Sequence, residues 1–478
     1  MPELHQLNAT ELLELYRSRQ VSPVEVTQAL IDRIDAVNPA VNSVCIRNDD
    51  DAMSRAKLAE QRYMGRTSTP PRPLEGVPVA IKDEVDVAGQ INTMGSLIFK
   101  DNIAETTAPI ADKILQSGAI PHVRTTTPEF SCAPFTHSRM WGITRNPWNL
   151  AFDVGGSSGG AGASLAAEMT PLASGSDIGG SIRMPASVNG VVGFKAPFGR
   201  VAGYSPYNLD QYCHDGAMAR SVADVALMHN VIAGPHPADI VSMRPQLRIP
   251  SHLHGVQGWR IALTTDLGGY VIDPEVVANL RRAGAALERA GAIVEEVELG
   301  WDVELIRDSA QKHFGTIMGA EIGRIADEHG ELMTDYALHF AAWAREAGTD
   351  GFAQGLAQEG ALYLHLSKIF QSYRILLAPG FPLPALEAGN SYVDKGPVIA
   401  GIQQANALDF LTTVPFNIMS RCPVLSVPSG LASNGVPTGV QIVGRTYDDV
   451  SVFRAGAVLE KEIKLFSSAE TRPTFRAE

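Results

Sequence analysis

The sequence predicts an α/β fold, in which strands and helices alternate along one body. Short apolar runs alternate with longer segments of helical periodicity from end to end. No internal repeat and no low-complexity tract interrupts that alternation. Of the 478 residues, 45% are hydrophobic and 19% are charged, which is typical of a globular protein with a large core. This length suits two or three domains of about 150 residues, although large α/β enzymes can exceed that size as one unit.

The first part of the chain predicts alternating helices and strands. Two helices are predicted within residues 8–38, and Ser22, Pro23 and Glu25 begin the second with a capping box and a proline in its first turn. The elements that follow are a strand at 41–47, a helix at 50–64, an apolar strand at 76–83, a helix at 107–118 and a strand at 120–124. A long irregular segment, 125–149, comes next. Such a segment in a compact protein is usually functional.

Residues 155–200 are the most unusual stretch, because small residues surround two serines. Ser157 lies in GGSSGG, and Ser181 lies 24 residues later in DIGGSIR. Glycine lets another backbone or a ligand approach closely, so two such sites suggest a place where backbone groups take part in chemistry. The run 161–168 between them predicts a short buried helix. A tight loop–helix packing motif without chemistry would show the same glycines.

The last part of the chain continues the alternation. The predicted elements are a helix at 221–233, a βαβ unit at 259–298, a mainly helical segment at 301–370, a strand at 375–378, and a strand pair at 423–428 and 439–443 around a turn at 433–435. Asp273 and Pro274 cap and begin the helix of the βαβ unit. Together with the first part, these elements predict one α/β body.

Charge and cysteine content narrow the class of protein. The net charge of −13 argues against a nucleic-acid partner, because binding phosphates requires clustered Lys and Arg. The four cysteines lie far apart and form no CxxC pair, so neither a zinc site nor a disulfide framework is indicated. No signal-peptide core and no long apolar run is found. We therefore expect a cytoplasmic protein without a membrane partner, a metal or another cofactor.

Two features suggest nucleophilic chemistry, and each has an alternative. Gly155–Gly159 fits the G-x-S-x-G elbow of α/β-hydrolases, which would make Ser157 an esterase nucleophile with an acid and a histidine downstream. Lys82 ends an apolar strand, and a buried ammonium must be paired or lose its proton. The plain alternative is a lysine at a strand end that reaches solvent and pairs with Asp83 or Glu84.

Several motifs together resemble the amidase signature family of serine amidohydrolases. Residues 155–200 resemble the family's signature, and GVPVAIKDEVDVAG at 76–89 resembles its lysine segment. The order of lysine, first serine and second serine agrees, as does the step of 24 residues between the serines. Further matches are RNPWN at 145–149, MARSVADVALM at 218–228, PFN at 415–417 and GVPTGVQIVG at 435–444. The resemblance covers nearly the whole chain except 301–370.

The resemblance implies a fold and a set of catalytic residues. The fold is one large domain over 1–478 with a central mixed β-sheet covered by helices on both faces, a signature core at 65–235, and a helical insertion at 301–370 that covers the substrate. Ser181 would be the nucleophile, Ser157 a bridging serine that follows a cis peptide bond, and Lys82 a neutral base.

The resemblance also implies residues around this triad. The backbone N–H groups of four residues would form an oxyanion hole: Ile178, Gly179, Gly180 and Ser181. Apart from the resemblance, the aromatic residues of 301–370 and of the core suggest a substrate pocket, for which we predict Cys132, Tyr204 and Trp343. Packing between helices is the alternative role of such aromatic residues. We interpret Asp177 and Arg183 as an ion pair that fixes the nucleophile loop. Three positions depart from the family's pattern, namely Glu84 where Asn is common, Ser176 where Thr is common, and Val188-Asn189 where small residues or Cys are common.

The predicted function is hydrolysis of a small-molecule carboxamide through an acyl-enzyme on Ser181. Three alternatives stay open: the glutamine amidase component of a tRNA-dependent amidotransferase, a noncatalytic binding module with the same fold, and a serine esterase that uses Ser157. The acidic balance of the chain weighs against the first. Within the family the chain looks most like general amidases, including those that act on nylon oligomers. A homodimer also stays open.

Overall fold

A computed structural model of the chain describes residues 3–348 and 350–474. The strands found there are β1 (Val44–Arg47), β2 (Pro78–Lys82), β3 (Ile120–Thr125), β4 (His137–Ser138), β5 (Gly142–Ile143), β6 (Leu172–Asp177), β7 (Val192–Lys195), β8 (His214–Ala219), β9 (Arg260–Leu263), β10 (Ile293–Glu296), β11 (Ile375–Pro379), β12 (Val398–Ile399), β13 (Ile402–Gln403), β14 (Val424–Leu431) and β15 (Pro437–Gly444).

The α-helices of the same residues are α1 (Ala9–Arg17), α2 (Pro23–Val41), α3 (Asp49–Tyr63), α4 (Pro109–Gln116), α5 (Gly159–Ala166), α6 (Arg183–Asn189), α7 (Val222–Ile232), α8 (Pro274–Arg289), α9 (Val303–Phe314), α10 (Ala320–His329), α11 (Asp335–Ala347), α12 (Gly351–Ser372), α13 (Pro415–Ile418) and α14 (Asp449–Ile463). A π-helical turn, Gly315–Gly319, joins α9 to α10.

The centre of the fold is one mixed sheet of eleven strands in the order β1-β3-β2-β6-β8-β7-β14-β15-β11-β9-β10. The sheet is parallel where β2 pairs with β3 and β6, and where β9 pairs with β10 and β11. The pairs between β6 and β11 in the middle of the sheet are antiparallel. The predicted mixed sheet is therefore confirmed.

Helices cover both faces of this sheet, because apolar side chains alternate along its strands. In β11, Ile375 and Leu377 pack with α7, α8 and α14 on one face. Leu376 and Ala378 pack with α9 and α12 on the other face. A separate cluster on the side of α5 and α6 includes Ala80 of β2. The predicted arrangement of helices on both faces is also confirmed.

Local signals explain the elements that the sequence predicts. The Ser22 hydroxyl accepts hydrogen bonds from the Val24 and Glu25 amides, and the Glu25 carboxylate accepts one from the Ser22 amide, which completes the capping box of α2. Strands β9 and β10 pair in parallel around α8, as the βαβ pattern predicts. Segment 301–370 is mainly helical, with α9, α10, α11 and most of α12.

The sequence did not predict β6, β7 and β8, although they lie in the middle of the sheet. Strand β6 reads LASGSD, and Gly, Ser, Ala and Asp have low strand propensity. Their small side chains are nevertheless buried where helices pack closely on the sheet. Tertiary packing therefore overrides local preference in these strands.

No helix among the described residues is long and apolar enough to cross a lipid bilayer.

Candidate active site

Lys82 is the last residue of β2 and is completely buried. Its Nζ donates hydrogen bonds to Ser157 Oγ at 2.8 Å and to Ser176 Oγ at 2.8 Å. Its backbone N–H donates to Ser174 Oγ at 3.0 Å, which fixes the end of the strand against β6. Burial lowers the pKa of Lys82, and the neighbouring Glu84 carboxylate opposes that lowering.

Glu84 supplies the third acceptor around Lys82 Nζ. Its Oε1 lies 2.9 Å from Lys82 Nζ, and its other oxygen accepts a hydrogen bond from the Ser131 hydroxyl. Burial opposes ionisation of Glu84, but Lys82 and the hydroxyls of Ser131 and Ser176 hold its pKa below the usual value. Asp83 points elsewhere and accepts from Thr93, Gly95 and Trp141.

Lys82 is thus both the ion-pair partner of Glu84 and within reach of Ser157. The two interpretations that the sequence left open, a paired lysine and a lysine next to the first serine, describe the same side chain. The alternative of a strand-end lysine predicted a side chain that reaches solvent. The Lys82 side chain is instead fully buried.

Ser157 follows a cis peptide bond from Gly156, as the resemblance implies, and is 1% exposed. The irregular segment 125–149 packs directly against this peptide. A Cβ at Gly156 would lie 2.4 Å from the Phe135 carbonyl oxygen, so only glycine allows this close approach. The long segment therefore holds Ser157 in place.

Ser181 lies in the turn between β6 and α6 and is 5% exposed. Its backbone carbonyl accepts a hydrogen bond from the Ser158 amide at 3.1 Å, which ties the two serine loops together. The Ser181 hydroxyl has no protein hydrogen-bond partner in the described part of the chain, so it is free to engage a ligand. Ser158 also joins these loops to β6, because its hydroxyl bonds to the backbone of Ser176.

The turn before Ser181 presents backbone amides. Within residues 3–348 and 350–474, the amides of Ile178, Gly179 and Ser181 have no protein acceptor. The Gly180 amide instead donates to Asp177 Oδ1 at 2.9 Å. Gly180 has a φ of +124°, and a Cβ there would lie 1.9 Å from Thr413 Oγ1. Gly180 therefore shapes the turn, and its neighbours carry the unpaired donors.

The Asp177–Arg183 ion pair lies beneath this turn and is completely buried. Arg183 binds both carboxylate oxygens of Asp177 at 2.8 and 2.9 Å. Burial alone would raise the pKa of Asp177, but Arg183 and Asn417 hold it well below its usual value. Asp177 also accepts from the Ile182 amide. This arrangement agrees with our interpretation of the pair as a structural support of the loop.

An aromatic cluster from the helical segment faces the same turn. A Cβ at Gly179 would lie 3.4 Å from the ring of Phe314 and 3.7 Å from Val414. Phe314 contacts the rings of Tyr212 and Trp343, with centroids 5.8 and 6.4 Å away. Segment 301–370 thus reaches the turn that precedes Ser181.

The three predicted substrate-binding residues lie in different surroundings. Trp343 belongs to the aromatic cluster around Phe314. Cys132 follows Ser131, the partner of Glu84, and its thiol donates to the Glu129 carbonyl at 3.2 Å. Tyr204 packs against the cluster on the face of α4 and α7, and its hydroxyl bonds to Thr106. Among the described residues, no group of three or more His, Cys, Asp and Glu side chains is placed to hold a metal ion.

Sequence reasoning missed two serines at this site. Ser176 contacts Lys82 Nζ, and Ser131 contacts Glu84. Ser174 and Ser176 are two residues apart in one strand, a spacing that places side chains on one face. That signal could have identified Ser176 once β6 was recognised. Ser131 gives no such signal, because its position depends on the path of an irregular segment.

Comparison with known proteins identifies the family of this chain. The family model described as Amidase matches residues 25–314 and 331–453. An acylamidase of Rhodococcus erythropolis is 33% identical over 475 residues, covering 96% of this chain and 95% of that protein. A 6-aminohexanoate-cyclic-dimer hydrolase of Paenarthrobacter ureafaciens is 32% identical over 479 residues, covering 95% of this chain and 94% of that protein.

A glutamyl-tRNA(Gln) amidotransferase component from Moorella thermoacetica is 32% identical over 494 residues and covers 96% of this chain and 97% of that protein. Among solved structures, a bacterial aryl acylamidase of the amidase signature family superposes with a TM-score of 0.89 at 29% identity, covering 96% of this chain and 97% of that one. The sequence match and the shared fold agree. This chain therefore belongs to the amidase signature family and is an amidase, a hydrolase of carboxamide C–N bonds.

Proposed function

We propose that this amidase hydrolyses small-molecule carboxamides through an acyl-enzyme on Ser181, with Ser157 and Lys82 transferring the proton. One observation carries the proposal. A buried Lys82 donates to Ser157 at 2.8 Å, and the loop of Ser157 is hydrogen-bonded to the backbone of Ser181. A serine hydroxyl becomes a strong nucleophile only when a base removes its proton, and Lys82 is a group of that kind in direct contact with Ser157.

In acylation, Ser181 Oγ attacks the amide carbon and its proton passes to Ser157 Oγ. Ser157 simultaneously passes its own proton to the neutral amine of Lys82, which becomes an ammonium. The ammonium then returns a proton through Ser157 to the leaving nitrogen, and the C–N bond breaks. Catalytic hydrogen bonds often tighten only when substrate binds, and we assign the closing of the Ser157–Ser181 bond to that step.

The developing oxyanion needs donors that are already in place. We propose that the amides of Ile178, Gly179 and Ser181 form the oxyanion hole, since these three have no acceptor among the described residues. Gly180 contributes the turn and not a donor, because Asp177 accepts from its amide. A water molecule then attacks the acyl-enzyme by the same proton path and releases the acid.

Segment 301–370 is proposed to cover the substrate. Phe314 lies beside Gly179, so an acyl group bound at this turn would meet an aromatic wall. Helix α11 is also fixed to the segment that holds Ser157, because Thr334 and Tyr336 bond to Glu129. We infer that the acyl portion of the substrate is apolar, in keeping with the acylamidases that this chain resembles.

The amidotransferase alternative predicts a glutamine-sized polar substrate and a partner protein. The aromatic wall beside Gly179 favours the small-molecule amidase over that alternative. All four cysteines are free, a state that suits a reducing compartment, so we place the enzyme in the cytoplasm. We further propose that it needs no nucleic acid.

The test is active-site labelling with a fluorophosphonate. We expect labelling of Ser181 in the wild-type protein, and loss of both labelling and amide turnover in Ser181→Ala. Ser117→Ala is the matched control, because this serine is as buried as Ser181 and its hydroxyl bonds only to backbone groups at the end of α4, and the variant should label normally. A label found on Ser157 by mass spectrometry would contradict the proposal and favour the esterase.

A further inference from the structure

The surroundings of Lys82 match the protonated form of its side chain. Three acceptors surround Nζ, namely Ser157 at 2.8 Å, Ser176 at 2.8 Å and Glu84 at 2.9 Å. An ammonium has three N–H donors and no acceptor, so it satisfies this set completely. A neutral amine has only two N–H donors and a lone pair. A base must offer that lone pair to Ser157.

Glu84 is held rigidly in this position. One carboxylate oxygen faces Lys82 and the other accepts from Ser131, in the irregular segment that also packs on Gly156. The Glu84 side chain is only 15% exposed, so solvent screens the pair weakly.

We propose that Glu84 is a positioning residue that keeps Lys82 protonated in the resting enzyme and so sets the pH above which the base becomes available. This proposal rests on the proposed role of Lys82 as the base. Among the described residues, Glu84 bonds to Lys82, Ser131 and Ser176 and to neither Ser157 nor Ser181, so it reaches the proposed proton path through Lys82.

The carboxylate has two opposite effects on the rate. It favours the ammonium before substrate reacts, so fewer molecules carry the neutral base at low pH. It also stabilises the ammonium that forms when Lys82 accepts the proton during acylation. Removing the charge should therefore extend activity to lower pH and, at the same time, lower the plateau rate at high pH.

Three other ionisable side chains, Asp215, Asp177 and Cys213, lie in the same region. Among the described residues, Glu84 is the one that forms an ion pair with Lys82. Asp215 lies opposite Ser176 in the β6–β8 pair and has no hydrogen bond or ion pair among the described residues. Burial, together with Glu84, raises the pKa of Asp215 to about 7, while Lys82 opposes that rise.

Asp177 already forms an ion pair with Arg183. Burial raises the pKa of the nearby Cys213 thiol, so it stays uncharged near neutral pH. Glu84 is therefore the dominant charge on Lys82.

The experiment measures the rate at which a fluorophosphonate modifies the protein, by formation of a serine O–P bond and release of fluoride, from pH 5 to pH 10 for the wild type and Glu84→Gln. An opposite charge at this distance shifts a pKa by about one to three units. We expect the midpoint of the acid limb in Glu84→Gln to move down by about that amount. The ratio of variant rate to wild-type rate should rise steadily as the pH falls. An unshifted limb would overturn the proposal.

Three further variants separate charge from shape. Asp86→Asn removes a half-buried carboxylate that binds Asn92 in the same segment, and its limb should coincide with that of the wild type. Glu84→Asp keeps the charge and should retain most of the wild-type midpoint. Asp215→Asn should shift the midpoint less than Glu84→Gln, and a larger shift would overturn the ranking.

Folding failure and failure of the proposed function give distinct results. If Glu84→Gln does not fold, Ser131→Ala loosens the same carboxylate and should shift the limb in the same direction by a smaller amount; no shift would count against the proposal. If Lys82→Ala reacts at the wild-type rate, the proposed base is wrong. A dead Lys82→Ala with an unshifted Glu84→Gln would overturn only the role of Glu84.

Discussion

Replacing His313 by glutamine tests how the helical segment 301–370 is held on the signature core. His313 lies in the last turn of α9. Its Nε2 lies 2.7 Å from Asp210 Oδ1 and its Nδ1 lies 3.5 Å from Glu359 Oε1. Its ring stacks on Tyr212 at 3.5 Å. Burial alone would lower the pKa of His313, but the two carboxylates raise it to about 9.

The size and sign of the effect follow from that pKa. A rise from 6.5 to about 9 is worth about 3 kcal/mol, at ~1.36 kcal/mol per unit. Because the pKa in the folded protein is raised, the stabilisation is complete below about pH 6.5 and is lost as the pH rises through about 9. The side chain is only 3% exposed, so solvent reduces this figure little.

The assay is urea unfolding of the wild type and His313→Gln at pH 6 and pH 10. We expect the free energy of unfolding to differ between the two proteins by about 3 kcal/mol more at pH 6 than at pH 10. His365→Gln is the control, since this exposed histidine lies in α12, the helix that carries Glu359. An equal difference at both pH values would show that His313 acts through packing alone.

Three further predictions concern the active site. Lys82→Arg and Lys82→Ala should lower kcat by about 10⁴-fold or more while the protein stays folded, because guanidinium cannot act as a base; near-normal kcat in folded Lys82→Ala would end the proposed mechanism. Gly180→Ala should lower both Tm and kcat, because its Cβ would lie 1.9 Å from Thr413 Oγ1 at a φ of +124°; unchanged melting and turnover would contradict the role of this turn. Phe314→Ala should raise KM for aryl and alkyl amides more than KM for acetamide, whose acyl group is too small to reach the wall; equal changes across such an amide panel would remove Phe314 from the substrate site.

The sequence predicted the chemistry of this site better than its geometry. Lys82, Ser157 and Ser181 lie in motifs whose order and spacing can be recognised in a linear chain. That Lys82 contacts both Ser157 and Glu84 could not be predicted, because three-dimensional packing decides whether a strand-end lysine turns inward. That the Gly180 amide donates to Asp177 could not be predicted either, because this hydrogen bond depends on the rotamer of Asp177.

The fold was predictable where the sequence carries clear capping signals or a regular spacing of apolar residues. Helix α2 has a capping box, and β9, α8 and β10 have the periodicity of a βαβ unit. Strands β6 to β8 were missed because small and polar residues form them, and such residues are stable in a strand only when neighbouring helices bury them. The part of the sheet that leads into the Ser181 turn was therefore the hardest part to predict.

The buried Arg183 has a consequence for how the enzyme is made. Its guanidinium bonds not only to Asp177 but also to Thr413, Asn417 and Gln441, which are synthesised more than 200 residues later. A ribosome that has reached residue 235 has already made all three proposed catalytic residues, yet it has made none of those later partners. The full set of Arg183 hydrogen bonds, and with it the support beneath the turn that precedes Ser181, can therefore form only after residue 441 has been made.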